Sequence, residues 1–568
     1  MTSDTGTRAR DPLQVRVAGG LLRGVRERGI RAWRGIPYAA APVGPLRFRA
    51  PEPAPSWPGV RDATDFGPVA TQSHKGQFVG AHPRVPQGED CLNLNVLAPA
   101  APAVDGAPYP VMVFVHGGAY SVGSSRDHPR QGEGLVRRGG IIYVGINYRL
   151  GALGFLDFSR YSTPERPFES NLGLRDQVAA LAWVRANIHA FGGDPDAVTL
   201  FGESAGGNAV TTLMTVPAAA GLFQRAIAQS APPNAVYPPA LTAEWAATFV
   251  QILAEQSVGE PDVPARPVPA RPVPARPVLA RPVLARRVAA RPMAAAETAA
   301  AAETAAAAET PVTDADAVRL LLEAAPASLA RTATTLTVRA PDRYPGTIPL
   351  CPVIDGDFLP ERPLDAFRDG RAHRIPLMIG TNEREGSLFS GRIDILASTP
   401  PRLRAVFANT DRSARTALTA QYPGVPAARA LRDLGGDYSF WHPSVKVAQR
   451  HSRYAPVYFY RFDAAPRLLR WVGLDATHGL ELYPLFDRLD GWAGRGITLL
   501  GGRRAFKAIS KRMQAWWLSF ARSGEPDAAW PGYTEADRLT LIIDTHDRVE
   551  ADPHAERRLA WAAFVPHV

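Results

Sequence analysis

The chain has 568 residues, of which 46% are hydrophobic and 21% charged, a balance typical of a globular protein with a substantial core. No apolar run approaches the roughly 18 residues that a membrane-spanning helix needs, and the N-terminus lacks the apolar segment of a secretory signal. Two cysteines, Cys91 and Cys351, are too few for a disulfide framework. We therefore expect a cytoplasmic protein without a membrane span.

The net charge of +10 comes mainly from one segment of the chain. Residues 263–292 contain seven arginines and no acidic residue, so the rest of the chain carries a net charge near +3. A basic protein often binds nucleic acid, but here the charge does not predict a basic folded surface. We expect no nucleic-acid partner. Binding of an acidic surface by this segment alone is the competing hypothesis.

Strands and helices alternate along most of the sequence. Residues 110–115 and 140–146 are apolar at nearly every position, which is typical of buried strands in a parallel sheet covered on both faces. Helical periodicity over 176–188 ends before two glycines, and an apolar run over 196–201 predicts the next strand. Further strands are predicted at 223–229, 375–380 and 456–462. The pattern indicates an α/β architecture in one large domain, residues 1–568.

One insertion interrupts this pattern at residues 259–311. A five-residue unit containing proline and arginine repeats from Val263, and an alanine-rich stretch follows over 293–310. Frequent proline removes amide donors and opposes helix formation, so 263–292 should be extended and mobile, whereas alanine favours a helix. We expect a disordered low-complexity insertion without a catalytic role.

Residues 202–206 read Gly-Glu-Ser-Ala-Gly and follow the strand predicted at 196–201. A serine between two such glycines, on a sharp turn from strand to helix, is typical of a nucleophile elbow. Gly202 and Gly206 let the flanking backbone pass close to itself without Cβ clashes. Ser204 is therefore the candidate nucleophile.

A serine nucleophile needs a base and a group that orients the base. The loop after the strand at 375–380 carries two carboxylates, Glu383 and Glu385, and their spacing does not choose between them. His478 follows the strand at 456–462, where the base of a doubly wound hydrolase lies. His442 and His451 also come after the acid, so they remain alternatives.

Residues 115–120 read Val-His-Gly-Gly-Ala-Tyr and follow a buried strand. This segment is similar to the glycine-rich loops whose backbone amides bind a developing oxyanion. Small side chains are needed there because the backbone itself approaches the substrate carbonyl.

With these motifs the chain resembles the type B carboxylesterase family, which includes bacterial para-nitrobenzyl esterases and the cholinesterases. The resemblance extends over nearly the whole chain. Its further motifs are Trp-Arg-Gly-Ile-Pro-Tyr at 33–38, Leu-Arg-Phe-Arg-Ala-Pro-Glu-Pro at 46–53, Glu-Asp-Cys-Leu-Asn-Leu-Asn-Val at 89–96, Asn-Tyr-Arg-Leu-Gly at 147–151, Asn-Leu-Gly-Leu-Arg-Asp-Gln at 171–177 and the segment 516–526.

The resemblance implies an α/β-hydrolase fold, with a mostly parallel central sheet flanked by helices, and hydrolysis of a small-molecule carboxylic ester through an acyl-enzyme. It implies no metal and no organic cofactor. In the family the acid directly precedes a glycine, which selects Glu385 over Glu383. The implied triad is Ser204, Glu385 and His478, and the implied oxyanion donors are the amides of Gly118, Ala119 and Ala205.

The resemblance also implies two structural ion pairs, Arg47 with Glu89 and Arg149 with Asp176. The chain departs from the family at Cys91, which has no upstream cysteine of the kind that secreted relatives pair with it. We therefore expect a free buried thiol there.

A second departure is Tyr120, which stands where the family usually has phenylalanine. Three aromatic residues, Tyr438, Phe440 and Trp441, are interpreted as packing residues, with an aromatic substrate gorge as the alternative.

Two other kinds of function remain as alternatives. The same catalytic residues can hydrolyse amides, carbamates and thioesters. Alternatively, a cholinesterase-like protein can be a binding protein without catalytic activity. With an ordinary pKa for His478, activity is expected to rise through about pH 6–7. The sequence predicts neither the natural ester nor the oligomeric state.

Overall fold

The computed structural model describes residues 13–73, 80–82, 84–101, 106–127, 130–258, 312–389 and 396–565. The insertion expected at 259–311 lies outside these ranges, so its extended and helical parts stay predictions. No helix in the described ranges is long and apolar enough to cross a lipid bilayer.

The described residues form sixteen strands. In chain order they are β1 (Gln14–Val17), β2 (Gly20–Arg23), β3 (Val25–Glu27), β4 (Ile30–Pro37), β5 (Val60–Asp62), β6 (Val69–Ala70), β7 (Gln87–Gly88), β8 (Asn93–Pro99), β9 (Tyr109–Val115), β10 (Ile142–Ile146), β11 (Gly193–Glu203), β12 (Arg225–Gln229), β13 (Leu377–Asn382), β14 (Val457–Phe462), β15 (Leu539–Ile543) and β16 (Arg548–Ala551).

Eleven of these strands form one sheet in the order β16-β15-β14-β13-β12-β11-β9-β10-β8-β4-β3. The seven strands from β10 to β15 in this order are parallel, and antiparallel strands complete both edges. All six strands predicted from apolar runs belong to the parallel part, so the predicted α/β class is confirmed. The N-terminal strands β1, β2 and β5 form a separate small sheet, and β6 pairs with β7.

Helices flank the sheet and connect its strands. They span Glu133–Gly139, Ala152–Phe155, Leu172–Asn187, Ala205–Leu213, Pro239–Val258, Asp314–Glu323, Pro326–Arg343, Pro363–Asp369, Pro400–Val406, Arg412–Ala420, Ala428–Gly436, His442–His451, Arg467–Trp471, Leu482–Leu485, Trp492–Ile497, Arg503–Ser523 and Ala555–Ala562. The helix predicted over 176–188 begins four residues earlier, at Leu172.

The core lies on both faces of the parallel sheet. Successive side chains of β9 alternate between two clusters: Val111, Val113 and Val115 belong to one, and Met112 and Phe114 to the other. All five are buried. Burial on both faces explains why these strands are continuously apolar. The carboxyl ends of parallel strands meet at one edge of the sheet, which is where an α/β protein places its site.

Both ion pairs implied by the resemblance are present. Arg47 binds Glu89 through two hydrogen bonds of 2.7 and 2.6 Å, and Arg149 binds Asp176 through bonds of 2.8 and 2.6 Å. The second pair is almost fully buried. Cys91 is a buried free thiol, as expected.

Candidate active site

Ser204 lies on the turn between β11 and the helix Ala205–Leu213. Its backbone has φ 60° and ψ −123°, which L-residues rarely adopt. A Cβ at Gly202 would lie 2.6 Å from the backbone of Gly206, and a Cβ at Gly206 would lie 2.1 Å from the carbonyl oxygen of Val115. Only glycine fits at these two positions, so the strained turn requires the Gly-x-Ser-x-Gly pattern.

His478 lies between Ser204 and a carboxylate. Its Nε2 is 2.8 Å from the Ser204 Oγ, and its Nδ1 is 2.5 Å from Oε2 of Glu385. The backbone amide of Asn382 donates to the other oxygen of Glu385 over 2.6 Å. The arrangement can remove the serine proton while the carboxylate holds the imidazole in one tautomer.

The structure distinguishes Glu385 from Glu383. Glu385 is buried against His478, whereas Glu383 is exposed. A Cβ at Gly386 would lie 1.8 Å from the carbonyl oxygen of Arg432, so the close contact with the helix Ala428–Gly436 requires a glycine directly after Glu385.

The loops that carry Glu385 and His478 are joined to each other. The backbone amide of Arg384 donates to the carbonyl of Ala476, and the Ser387 hydroxyl lies 2.8 Å from that of Thr477. The Arg384 guanidinium binds Asp475. These contacts fix the separation between acid and base independently of substrate.

The two other candidate histidines lie elsewhere. His451 contacts the carbonyl oxygen of Ile375, and His442 stacks on Trp561. Burial lowers the pKa of both. Within the described residues neither contacts Ser204.

The oxyanion loop follows β9 and lies against the nucleophile. A Cβ at Gly117 would lie 3.1 Å from the Ser204 Cβ, so the backbone approaches the serine closely. Gly118 and Ala119 both have positive φ, 114° and 50°. Among the described residues, no acceptor within the protein pairs with the amides of Gly118, Ala119 or Ala205. Three backbone donors beside the serine are thus free for an anionic oxygen.

Comparisons with known proteins agree with this geometry. The model of the carboxylesterase family matches residues 11–259 and 278–561. The chain belongs to the carboxylesterase family. It is 34% identical to the para-nitrobenzyl esterase of Bacillus subtilis (strain 168), over 95% of this chain and 96% of that protein. It is 30% identical to the acylcarnitine hydrolase of Rattus norvegicus, over 95% and 87% of the two chains.

A solved PNB esterase superposes with a TM-score of 0.75 at 34% identity, covering 97% of this chain and all of the other. This carboxylesterase therefore has the α/β-hydrolase fold predicted from its motifs. It is a serine hydrolase that acts on carboxylic ester bonds through an acyl-enzyme.

Two buried acids that the sequence analysis did not single out surround His478. Glu203 Oε1 lies 3.3 Å from His478 Nε2, and Glu481, with no exposed surface, accepts a 2.5 Å hydrogen bond from the Asn382 side chain. Burial raises the pKa of Glu203 to about 7 and that of Glu481 to about 8. Their positions in the sequence could have identified them as residues near the site, because Glu203 directly precedes Ser204 and Glu481 follows His478 by three residues.

The neighbouring carboxylates change the pKa of His478. Burial opposes the charged imidazolium, but the carboxylates of Glu203 and Glu385 outweigh this effect and raise the pKa of His478 to about 9. The rise in activity expected at pH 6–7 for an ordinary histidine therefore moves to higher pH.

Replacing Glu203 by glutamine will move the rising limb of the pH profile to lower pH. The neutral amide no longer stabilises the imidazolium, so His478 loses its proton at a pH lower by about one unit or more. The measurement is kcat/KM of a soluble ester between pH 5 and 10. The exposed Glu383→Gln change should leave the midpoint in place, and an unmoved midpoint in Glu203→Gln would refute the coupling.

Tyr120 connects the oxyanion loop to the helix that follows the serine. Its hydroxyl donates to Oδ1 of Asn208 over 2.6 Å, and its ring stacks on Phe155 with centroids 3.8 Å apart. The Asn208 amide donates in turn to the carbonyl oxygen of Pro232. All of these contacts are buried, so the hydroxyl that distinguishes Tyr120 from the usual phenylalanine has a structural partner.

Replacing Tyr120 by phenylalanine will lower the free energy of unfolding by about 1–3 kcal/mol, because Oδ1 of Asn208 is left buried without a donor. Chemical denaturation measures the loss. The double change Tyr120→Phe with Asn208→Ala should cost less than the sum of the two single changes. Additive losses would show that the two side chains do not interact.

Aromatic rings border the base on one side. Phe440 and Phe389 pack against the His478 ring, with centroids 4.5 and 5.2 Å away. Tyr438 packs on Trp561, and Trp441 on His554. Of the three aromatic residues interpreted as packing residues, only Phe440 lies at the candidate site.

Within the ranges that the structure describes, no three His, Cys, Asp or Glu side chains are grouped so as to hold a metal ion.

Proposed function

We propose that Ser204, His478 and Glu385 carry out the hydrolysis of small-molecule carboxylic esters. Ser204 attacks the ester carbonyl while His478 Nε2 takes the hydroxyl proton, and Glu385 holds the imidazole and stabilises its charge. The proton then passes from His478 to the leaving alcohol. Water, activated by the same histidine, releases the acid from Ser204 and restores the hydroxyl.

The amides of Gly118, Ala119 and Ala205 bind the tetrahedral oxyanion in both halves of this reaction. Two observations support this role. These three amides have no acceptor among the described residues, and the backbone at Gly117 approaches Ser204 closely. The single observation that carries the proposal is the position of His478, within hydrogen-bond distance of both Ser204 and Glu385.

A series of nitrophenyl esters with increasing acyl length, alongside the matching nitroanilides and thioesters, tests the substrate class. We expect turnover of the esters to exceed that of the amides at every acyl length. Turnover that favours the amides or the thioesters would assign one of the alternative activities to the same residues.

The site does not support the alternative of a binding module without catalysis. The strained Ser204 and its 2.8 Å contact with His478 favour the enzyme, since a binding module has no need of them. Labelling of the purified protein by a fluorophosphonate separates the two, because an inactive site does not react.

The proposal places the enzyme in the cytoplasm and without nucleic acid as a partner. The buried free thiol of Cys91 and the low net charge outside residues 263–292 support these two statements. Cell fractionation and a polyanion-binding assay with and without residues 259–311 test them.

A further inference from the structure

Exposed apolar side chains are concentrated in one part of the chain. Five of the twelve exposed large hydrophobic side chains in the described residues fall within residues 471–500. The largest of them have exposed fractions of 80% (Trp471), 91% (Trp492) and 76% (Leu499), and Val472 and Leu500 are about half exposed. We call these five residues the Trp patch. Isolated exposed apolar residues are ordinary, but a group with two nearly bare tryptophans indicates a surface that meets another apolar phase.

Two parts of the Trp patch, Trp471 with Val472 and Leu499 with Leu500, come from neighbouring segments. A Cβ at Gly501 would lie 3.7 Å from the Arg467 side chain, and one at Gly502 would lie 3.4 Å from Pro466, so the chain after Leu500 runs beside the start of the helix Arg467–Trp471. Trp471 lies one turn from Arg467 on that helix.

Four arginines lie within about four residues of these apolar side chains in the sequence. Arg467, Arg470, Arg495 and Arg504 are exposed, and no carboxylate of the described residues pairs with any of them.

The acids of the same segment that reach the surface are already paired. Asp475 binds Arg384, Asp487 lies 3.4 Å from Arg138, and Asp490 binds Arg503. The four unpaired arginines therefore give the surface next to the Trp patch an excess of positive charge.

We propose that the Trp patch docks this esterase on a membrane surface that contains anionic phospholipid. Tryptophan is enriched at the boundary between water and lipid, aliphatic side chains gain free energy among acyl chains, and each arginine near an anionic surface adds attraction. The four unpaired arginines supply the charge complementarity that selects this occupant.

The other occupants fit less well. In a symmetric pairing of two copies, the same four arginines of each copy approach one another, so like charges oppose the contact. A nucleic acid stacks on tryptophan, but Val472, Leu499 and Leu500 gain nothing from it.

Flotation of the full-length protein with vesicles tests the proposal. Vesicles of phosphatidylcholine are compared with vesicles that also contain about 30% phosphatidylglycerol, the latter having a negative surface potential. We expect binding to the anionic vesicles, and roughly tenfold or greater loss of binding in the double variant Trp471→Ser with Trp492→Ser. The matched control, Val338→Ser with Leu559→Ser, changes two exposed apolar side chains elsewhere (55% and 60% exposed) and should bind as the parent does.

A second pair of variants tests the charge. Arg467→Gln with Arg495→Gln should weaken binding to anionic vesicles, whereas Arg404→Gln with Arg412→Gln, which removes two exposed arginines outside the Trp patch, should not. All variants keep the arginines of 263–292, so differences between them report on the Trp patch alone. Hydrolysis of a soluble ester should be unchanged in each, which shows that the variants fold.

Three results would overturn the proposal. The first is failure of the parent to bind either vesicle, or equal binding by the tryptophan double variant. The second is a dimer of the parent that the tryptophan changes dissociate, which would assign the Trp patch to a second copy. The third is binding of an oligonucleotide, but not of vesicles, that the arginine changes abolish.

Discussion

Replacement of Ser204 by alanine will lower kcat by about 10⁶-fold, the largest effect expected of any single change in this esterase. Alanine removes the atom that forms the acyl-enzyme, while the oxyanion amides and the substrate contacts remain. We expect the variant to hydrolyse the ester about 10³–10⁴ times faster than water alone does, and this remaining enhancement measures what the amides and substrate contacts contribute by themselves. The measurement is single-turnover and steady-state hydrolysis of a nitrophenyl ester.

The control for Ser204→Ala is Ser413→Ala, an exposed serine on the helix Arg412–Ala420. Its activity should equal that of the parent. The Ser204→Ala protein should also give no burst of nitrophenol. Turnover within tenfold of the parent in Ser204→Ala would remove this serine from the mechanism.

The second large effect is expected at the acid. Glu385→Gln will lower kcat by about 10⁴-fold with a smaller change in KM, because an amide beside Nδ1 favours the wrong tautomer of His478 and no longer stabilises the imidazolium. Pre-steady-state kinetics should show that acylation and deacylation slow together, since His478 acts in both steps.

Glu383→Gln is the matched control for this change, since it makes the same replacement two residues away on an exposed side chain. Its kcat should stay within about twofold of the parent, as expected for a surface substitution away from the site. If Glu383→Gln were the damaging variant and Glu385→Gln the neutral one, the assignment of the acid would be wrong.

Much of the fold follows from local patterns in the sequence. The strands β9 to β14 contain apolar runs that are buried on both faces, which makes them recognisable without an alignment. The N-terminal strands are short and alternate exposed and buried residues, as the four residues of β1 do. Such a pattern is too brief to separate a strand from a loop.

The site is less fully determined by local pattern. The elbow at Ser204 can be identified because its sterics require two glycines at fixed spacing. The choice of Glu385 depended on the resemblance, since the contact that requires Gly386 comes from a helix almost fifty residues later. Glu203 and Glu481 were missed because what distinguishes them is burial beside His478, which arises only when distant loops meet.

The most direct measurement on the proposed triad is the position of a fluorophosphonate adduct in the native protein, mapped by tandem mass spectrometry. The proposed triad predicts one adduct per chain, on Ser204, formed much more slowly in Glu385→Gln and at the same residue. An adduct on a different residue, or an active esterase that forms none, would contradict it.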